Sequence, residues 1–317
     1  MRRVLVTGGA GFLGSSAVRA LARHPEVDVV VSADVRAPAS VPAGVVLEPC
    51  DVTDAGAVAA IVGRHRIDTI VHLAAIVNPG GLSEELEYRV DVEGTRNVLD
   101  AAVAFGVTRI VVSSSGAAYG YHADNPEWLI ETDIIRGNEE FSYSRHKRLV
   151  EEMLAGYRVA HPALGQVVLR IGTILGPTVA NQITALWNGP RILAIRGSES
   201  PFVFIWVDDV VGVIVRGATG DVTGAFNVAG DGRVTVHEIA DALGKRTLTV
   251  APSLLTFALR IGHALRLTVH GPERVAFLRY RPVLDNTRLK SVLGYTPAMT
   301  SREAFDAYLA ARAAGAT

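Results

Sequence analysis

The sequence predicts an α/β fold, a doubly wound parallel sheet that carries a smaller, discontinuous C-terminal lobe. Three observations lead there. Short apolar runs alternate with helical patterns through the first half of the 317 residues, and strands separated by helices in this way pair in parallel with helices on both faces. A glycine-rich segment, Thr7-Gly8-Gly9-Ala10-Gly11-Phe12-Leu13-Gly14, joins the first such run to the first helix. The alternation fades after about Pro177, where Gly-Pro punctuation and shorter elements take over.

The elements follow in order. Arg3–Thr7 reads as a strand and Phe12–His24 as a helix, then Val27–Ala33 and Val45–Pro49 as strands. A helix from Asp54 to about His65 precedes the strand Thr69–Leu73. Ser83–Phe105 is one long helix, with Ser83 as its N-cap and Gly106 as its stop. Arg109–Ser113 is a strand, Glu139–Ala160 a helix and Gln166–Ile171 a strand. Phe202–Val207 and Ala225–Val228 are strands of the less regular part, and the Ala-rich tail after Ala307 reads as a fraying helix.

Composition narrows the class. A hydrophobic share of 49% and a charged share of 20% belong to a globular chain rather than a disordered one. The net charge of -1 gives no global case for nucleic acid or an anionic membrane as partner. One cysteine, Cys50, allows neither an internal disulfide nor a thiolate metal site. No metal is expected, because the nine histidines show no close ligand pairing, and His72 reads as packed at a strand end. No uncharged apolar run approaches the roughly 18 residues of a membrane span, and the chain opens on a strand rather than a secretory signal. A cytoplasmic protein without nucleic-acid or membrane partners is the expectation.

The glycine-rich loop carries the first chemistry. Gly8 permits a tight turn, Gly11 lets the backbone approach a pyrophosphate, and Gly14 allows close packing of helix on sheet. Free N–H groups at the helix start then face phosphate charge. A glycine-rich turn can serve only to reverse the chain, but its position between strand and helix selects dinucleotide binding. Asp34 ends the next strand about 20 residues on, as expected of an acid that bonds both ribose hydroxyls. Its charge would repel the 2′-phosphate of NADP, so NAD is preferred. Arg36 is the residue that would hold that phosphate, and it reads instead as a solvated loop side chain.

Tyr143 and Lys147 lie four apart in a helix and therefore project from one face. An ammonium beside a phenol stabilises the phenolate, which makes the tyrosine a usable proton shuttle. The run Ser113-Ser114-Ser115 closes a strand at the sheet end where ligands of such folds bind.

At these residues the chain resembles the extended short-chain dehydrogenase/reductase superfamily, in its NAD-dependent epimerase/dehydratase family. The likeness runs from the TGxxGxxG loop at Thr7 to Gly14, through Asp34, Asp51-Val52, His72-Leu73-Ala74-Ala75 and Gly94-Thr95-Arg96-Asn97. It continues in Ser113 to Gly120, Tyr143-Ser144-Arg145-His146-Lys147, Leu169-Arg170 and Gly176-Pro177. Val207-Asp208-Asp209, Phe226-Asn227-Val228 and Leu293-Gly294-Tyr295-Thr296-Pro297 complete it. The resemblance implies a Rossmann domain over 1–176 and a mainly substrate-binding lobe over 177–317, some of whose segments return to the first domain. It implies that Ser115 orients the substrate oxygen, with Ser114 as nearest substitute. Tyr143 is then general acid/base, and Lys147 holds the nicotinamide ribose and tunes the tyrosine. Gly8, Gly11, Phe12, Leu13, Asp34, Asp51, Val52, Leu73, Ala74, Ala75, Tyr143 and Lys147 are the implied cofactor contacts.

Departures limit the chemistry. Where dehydratases of this branch resemble Thr-Asp-Glu, this chain has Ser115-Gly116-Ala117, which removes the carboxylate pair that elimination needs. Arg170-Ile171-Gly172-Thr173 and Phe202 replace an asparagine and an arginine of the sugar-nucleotide epimerases, and Asp91 stands where the family often has Asn. Asp208 and Asp209 read as caps of the next helix. Arg274, Arg279 and Arg281 read as a solvated face, with an anionic substrate as the alternative. The expected function is NAD-dependent hydride transfer at a secondary-alcohol or ketone carbon of a small-molecule substrate. A nucleotide-sugar epimerase by oxidation and re-reduction is one alternative. A non-catalytic dinucleotide-sensing protein is another, and it would be expected to have lost the tyrosine or the lysine. The helix pair Ser83–Phe105 and Glu139–Ala160 builds dimers in the family resembled. A homodimer is therefore expected, with Leu99, Val103, Leu149 and Met153 as its core.

Overall fold

The computed structural model describes residues 1–77, 83–179, 181–265, 268 and 271–315. The first half winds through β1 (Arg2–Thr7), α1 (Phe12–Leu21), β2 (Val27–Asp34), β3 (Val45–Pro49), α2 (Ala55–Arg64) and β4 (Thr69–His72). Then come α3 (Glu84–Tyr88), α4 (Gly94–Ala104), β5 (Arg109–Ser115), α5 (Ser142–Ala160) and β6 (Gly165–Ile171). The second half holds β7 (Thr173–Leu175), α6 (Gln182–Ala185), β8 (Arg191–Ile195), β9 (Phe204–Trp206), α7 (Val207–Thr219) and β10 (Gly224–Val228). It ends with α8 (Val236–Ala242), β11 (Arg246–Val250), α9 (Pro252–Ala264), α10 (Arg274–Arg279) and α11 (Ser301–Gly315).

Seven strands form one parallel sheet in the order β10-β6-β5-β4-β1-β2-β3. The period of two sends alternate side chains to opposite faces, and helices cover both. Val4 and Val6 pack with Val18 and Leu21 of α1 and Val213 and Ile214 of α7. Leu5 between them packs with Ile61 of α2, Val98 and Leu99 of α4, and Val150 and Leu154 of α5. β1 pairs with β2 on one side and β4 on the other. The strand order reverses there, which opens the crevice where doubly wound folds bind ligands. In the second half, Trp187 makes edge contacts with Phe202, Phe204, Phe305 and Tyr308 at 5.3 to 6.3 Å between ring centroids.

Several elements differ from the sequence reading. The long helix is interrupted: α3 and α4 are joined by a π-helical turn over Arg89–Glu93. Ser83 does cap its start, accepting from Leu86 N at 3.3 Å, and Gly106 stops its end with φ +69. At Gly94, the first residue of α4, a Cβ would lie 2.7 Å from Val52 Cγ2. Helix α5 starts at Ser142, three residues later than read, since Phe141 is still extended. β5 runs on through Ser115, whereas β9 is only three residues long and Val207 already belongs to α7. Asp208 and Asp209 do not cap α7; Trp206 holds the N-cap position. Asp209 is buried and accepts from Ala298 N at 2.8 Å and Tyr295 hydroxyl at 3.1 Å, tying the C-terminal segment to α7. The tail after Ala307 is helical as read, since α11 runs on to Gly315, with Tyr308 buried in the second-half core.

Candidate active site

The crevice between β1 and β4 is shaped by side chains that are missing. Gly8 has φ +71, and a Cβ there would lie 2.7 Å from Ala74 N. A Cβ on Gly14 would stand 2.0 Å from Gly8 O, and one on Gly9 would meet Ser32 Oγ at 2.2 Å. Gly11 is the extended N-cap of α1, which has no side-chain cap and no acid in its first turn. The first backbone donors of α1 are thus left for a ligand, and the dipole favours an anion there. A backbone cradle of this kind, at a topological switch point, fits the pyrophosphate of NAD.

Asp34 closes β2 beside the cradle. One carboxylate oxygen accepts from Ala10 N and the other from Arg36 N, each at 3.0 Å. Each oxygen keeps a lone pair, so the acid that braces the loop still has capacity for ribose hydroxyls. The Arg36 side chain is solvated, 72% exposed, with its Nε 3.8 Å from Asp34. Phe12 is exposed at the start of α1, and Leu13 is half-buried against the core. Asp51 is exposed and accepts from Thr53 N at 2.9 Å. Val52 instead turns into the core, and its carbonyl accepts from Asn97 Nδ2 at 2.9 Å. Leu73, Ala74 and Ala75 follow β4 as a half-buried loop held by Leu73 N to Thr7 O at 3.1 Å.

His72 ends β4 with both ring nitrogens satisfied, by Thr7 Oγ1 at 2.7 Å and Thr95 Oγ1 at 3.0 Å. Burial, and secondarily the Lys147 charge, pull its pKa down to about 4, so the ring is neutral. It is packed at a strand end, as the sequence suggested.

Lys147 and Tyr143 come together on α5. The Lys147 ammonium is buried, donates to Ser113 O at 3.0 Å and lies 5.7 Å from the Tyr143 ring centroid. Tyr143 is half-buried, and its hydroxyl has no hydrogen-bond partner among the described residues. Ser115, at the end of β5, is half-buried and accepts from Ala117 N at 3.1 Å. Ser114 is not its substitute. The strand alternation turns Ser114 into the interior, where it donates to Glu151 Oε1 at 2.5 Å.

Behind these residues lies a network that the sequence reading missed. Glu151, one turn after Lys147, accepts three bonds from Arg170 at 2.7 to 3.1 Å. Arg170 also donates to the Tyr119 hydroxyl at 2.8 Å. A charged residue at i+4 from Lys147 was the available signal, since that spacing returns to the sheet-facing side of the helix. Asp91 lies in the π-helical turn and accepts from Ile76 N at 2.8 Å, fixing the loop after β4. Its other oxygen is 3.4 Å from Nδ1 of the fully buried His146.

The arginines near the C-terminus are not the solvated face expected of them. The Arg281 guanidinium lies 3.9 Å from the Phe202 ring centroid and 5.0 Å from that of Phe277, and Arg274 is 4.5 Å from the latter. Nε of both Arg279 and Arg281 is buried without a hydrogen-bond partner. Burial lowers the Arg281 pKa to about 9, which leaves it charged at neutral pH. The Phe277 ring meets those of Tyr121 and Phe141 at 5.1 and 6.1 Å, and burial first, then the neighbouring Tyr143, pushes the Tyr121 hydroxyl well above its usual range.

Comparison with known proteins agrees with this geometry. An uncharacterized protein of Mycobacterium tuberculosis is 26% identical over 98% of this chain and 84% of its own length. The UDP-N-acetyl-alpha-D-glucosaminuronate decarboxylase of Bacillus cytotoxicus is 25% identical over 78% of this chain and 80% of its own. The crystal structure of UDP-glucose 4-epimerase from Thermotoga maritima, with UDP-glucose, superposes with a TM-score of 0.76 at 20% identity, covering 99% of this chain and all of that one. The NAD dependent epimerase/dehydratase family matches residues 4–229. The chain therefore belongs to that family, as an NAD-dependent Rossmann-fold enzyme of the extended short-chain dehydrogenase/reductase type.

Proposed function

We propose that this enzyme moves hydride between NAD and a secondary-alcohol or ketone carbon of an anionic substrate, with Tyr143, Lys147 and Ser115 as the catalytic residues. The observation that carries the reading is the Lys147 ammonium, buried against Ser113 O at 3.0 Å and 5.7 Å from the Tyr143 ring. NAD, when bound, supplies the hydride acceptor or donor. Tyr143 exchanges the proton of the reacting oxygen, and the Lys147 ammonium beside it reaches toward the ribose. Ser115 hydrogen-bonds the same oxygen. The lysine stays in place because its other partner is a backbone carbonyl.

Arg274 and Arg281 favour an anionic substrate, because neither has a carboxylate partner among the described residues. Both sit on the aromatic cluster of Phe277, Tyr121 and Phe141, whose Tyr121 feels the neighbouring Tyr143. A nucleotide-diphosphate sugar fits this charge, and the Bacillus cytotoxicus decarboxylase and the Thermotoga maritima epimerase are named for such compounds. Release of the oxidised product gives net dehydrogenation. Re-addition of hydride to the opposite face gives epimerisation, which the likeness to UDP-glucose 4-epimerases favours.

The test is incubation with NAD and a panel of UDP-sugars, following nicotinamide absorbance and sugar configuration by NMR. Accumulating reduced cofactor supports net oxidation, and inversion without it supports epimerisation. Absence of both with every anionic sugar counts against the substrate class. We also propose a homodimer through α4 and α5. Leu99 is in the chain's own core, but Tyr88, Leu149, Met153 and Tyr157 line an open groove of about 460 Å³ on that face. Sedimentation showing only monomer at micromolar concentration would contradict it.

A further inference from the structure

Among the described residues, α9 is the long helix that contributes no buried side chain and turns its apolar side to solvent. It is seated on the protein by Leu255, which joins Ile195, Phe277 and Leu278. Leu254, Phe257, Ile261 and Leu265 are 61%, 62%, 43% and 63% exposed. Their spacing of i, i+3, i+7 and i+11 places all four on one stripe. A stripe of large apolar side chains in water is a surface meant to be covered.

The chemistry around the stripe says by what. From Ala242 to Pro272 the sequence has no Asp or Glu. In the two-stranded sheet beside α9, β8 and β11 pair in parallel with Arg191 opposite Arg246. Alternation puts Arg191 on the same face as Leu193 and Ile195, which is the face that receives Leu255. Arg246 and the 46% exposed Leu248 share that face by register. Arg191, Arg196, Arg246 and Arg260 are all exposed, and none has an ion-pair partner among the described residues. Like charges directly opposite each other on neighbouring strands repel, and an external anionic surface relieves that repulsion.

We propose that α9 and the β8–β11 edge form a docking surface for an anionic phospholipid membrane. The helix lies in the plane of the interface, with Leu254, Phe257, Ile261 and Leu265 entering the acyl boundary and the arginines meeting headgroup phosphates. It cannot cross, since no helix among the described residues is long and apolar enough to do so. A second copy is the poorer occupant, because a two-fold contact presents the same patch from both sides and sets arginines against arginines. The net charge of -1 for the whole chain conceals this local excess of cations.

The test is flotation of the full-length protein with vesicles of phosphatidylcholine mixed with phosphatidylglycerol, against phosphatidylcholine alone. The protein floats with the mixed vesicles and is released by salt. Leu254→Ser/Phe257→Ser/Ile261→Ser stays behind with an unchanged thermal transition, since these side chains make little of the core. Arg191→Gln/Arg246→Gln lowers the partition coefficient about thirtyfold, the effect of two arginines near an anionic surface. Phe257→Trp, which keeps the stripe, gains a blue-shifted emission component on the mixed vesicles only. The proposal is overturned if the wild type ignores both vesicle types at low salt. It is equally overturned if the triple serine variant merely breaks an oligomer while vesicle binding persists.

Discussion

Removing the Glu151 carboxylate tests whether the network behind the catalytic helix holds β5, β6 and α5 in register. Arg170 Nε donates to both Glu151 oxygens at 2.9 and 3.1 Å, and its Nη2 to Oε2 at 2.7 Å. The two side chains are only 8% and 5% exposed, so water cannot replace either partner. Glu151→Ala leaves a buried guanidinium with the Tyr119 hydroxyl and Glu131 O as its remaining acceptors, and also orphans Ser114. Breaking one side of a buried pair costs about 3–5 kcal/mol, whereas replacing both charges by apolar groups is often near neutral. Glu151→Met/Arg170→Met is therefore expected to recover at least about 2 kcal/mol of the single-variant loss. Urea unfolding at pH 7 reads this as a shift in midpoint at unchanged slope. A Glu151→Ala loss within about 0.5 kcal/mol, the range of ordinary surface changes, would refute the reasoning. So would a double variant no more stable than the single one.

Two further outcomes follow from the cofactor crevice. Asp34→Ala weakens NAD binding and narrows its preference over NADP, measured by titration calorimetry; wild-type preference for NADP would promote Arg36 to a phosphate ligand. His72 is held neutral, with its pKa at about 4 in the fold against about 6.5 when free. The unfolded chain takes up this proton first, so stability is full above pH 6.5 and falls as pH drops toward 4, by a limiting amount of about 3 kcal/mol. His72→Gln flattens that part of the pH–stability curve, and an unchanged slope would show that other groups cause it.

The crevice was legible in the sequence because its constraints are local. Gly8, Gly11 and Gly14 announce a backbone cradle through spacing alone, and Tyr143 and Lys147 share a helix face by periodicity. The π-helical turn was not legible, since the five residues of α3 before it are too few to set a helical phase against which one extra residue would show; its outcome is the Asp91 bond to Ile76 N. The inward turn of Ser114 is likewise not legible. The sequence pattern ends β5 at Ser113, whereas the strand runs two residues further and its alternation turns Ser114 inward to Glu151. Arg281 and Phe202 lie far apart in sequence, so no local rule could bring the guanidinium to 3.9 Å from the ring. Asp209 looked like a helix cap because acids favour that position, but its partners are supplied by Tyr295 and Ala298 from the C-terminal segment.

The central claim is that the Tyr143 hydroxyl exchanges a proton with the substrate oxygen as hydride moves. Tyr143→Phe removes that group and keeps the ring. The decisive measurement is single-turnover hydride transfer on an identified substrate, paired with NAD titration of the same variant. Loss of general acid–base catalysis predicts a rate lower by about 10²–10⁴-fold, with NAD affinity little changed. Wild-type hydride-transfer rates in Tyr143→Phe across the pH range would contradict the account and leave the Tyr143–Lys147 pair a structural feature of α5.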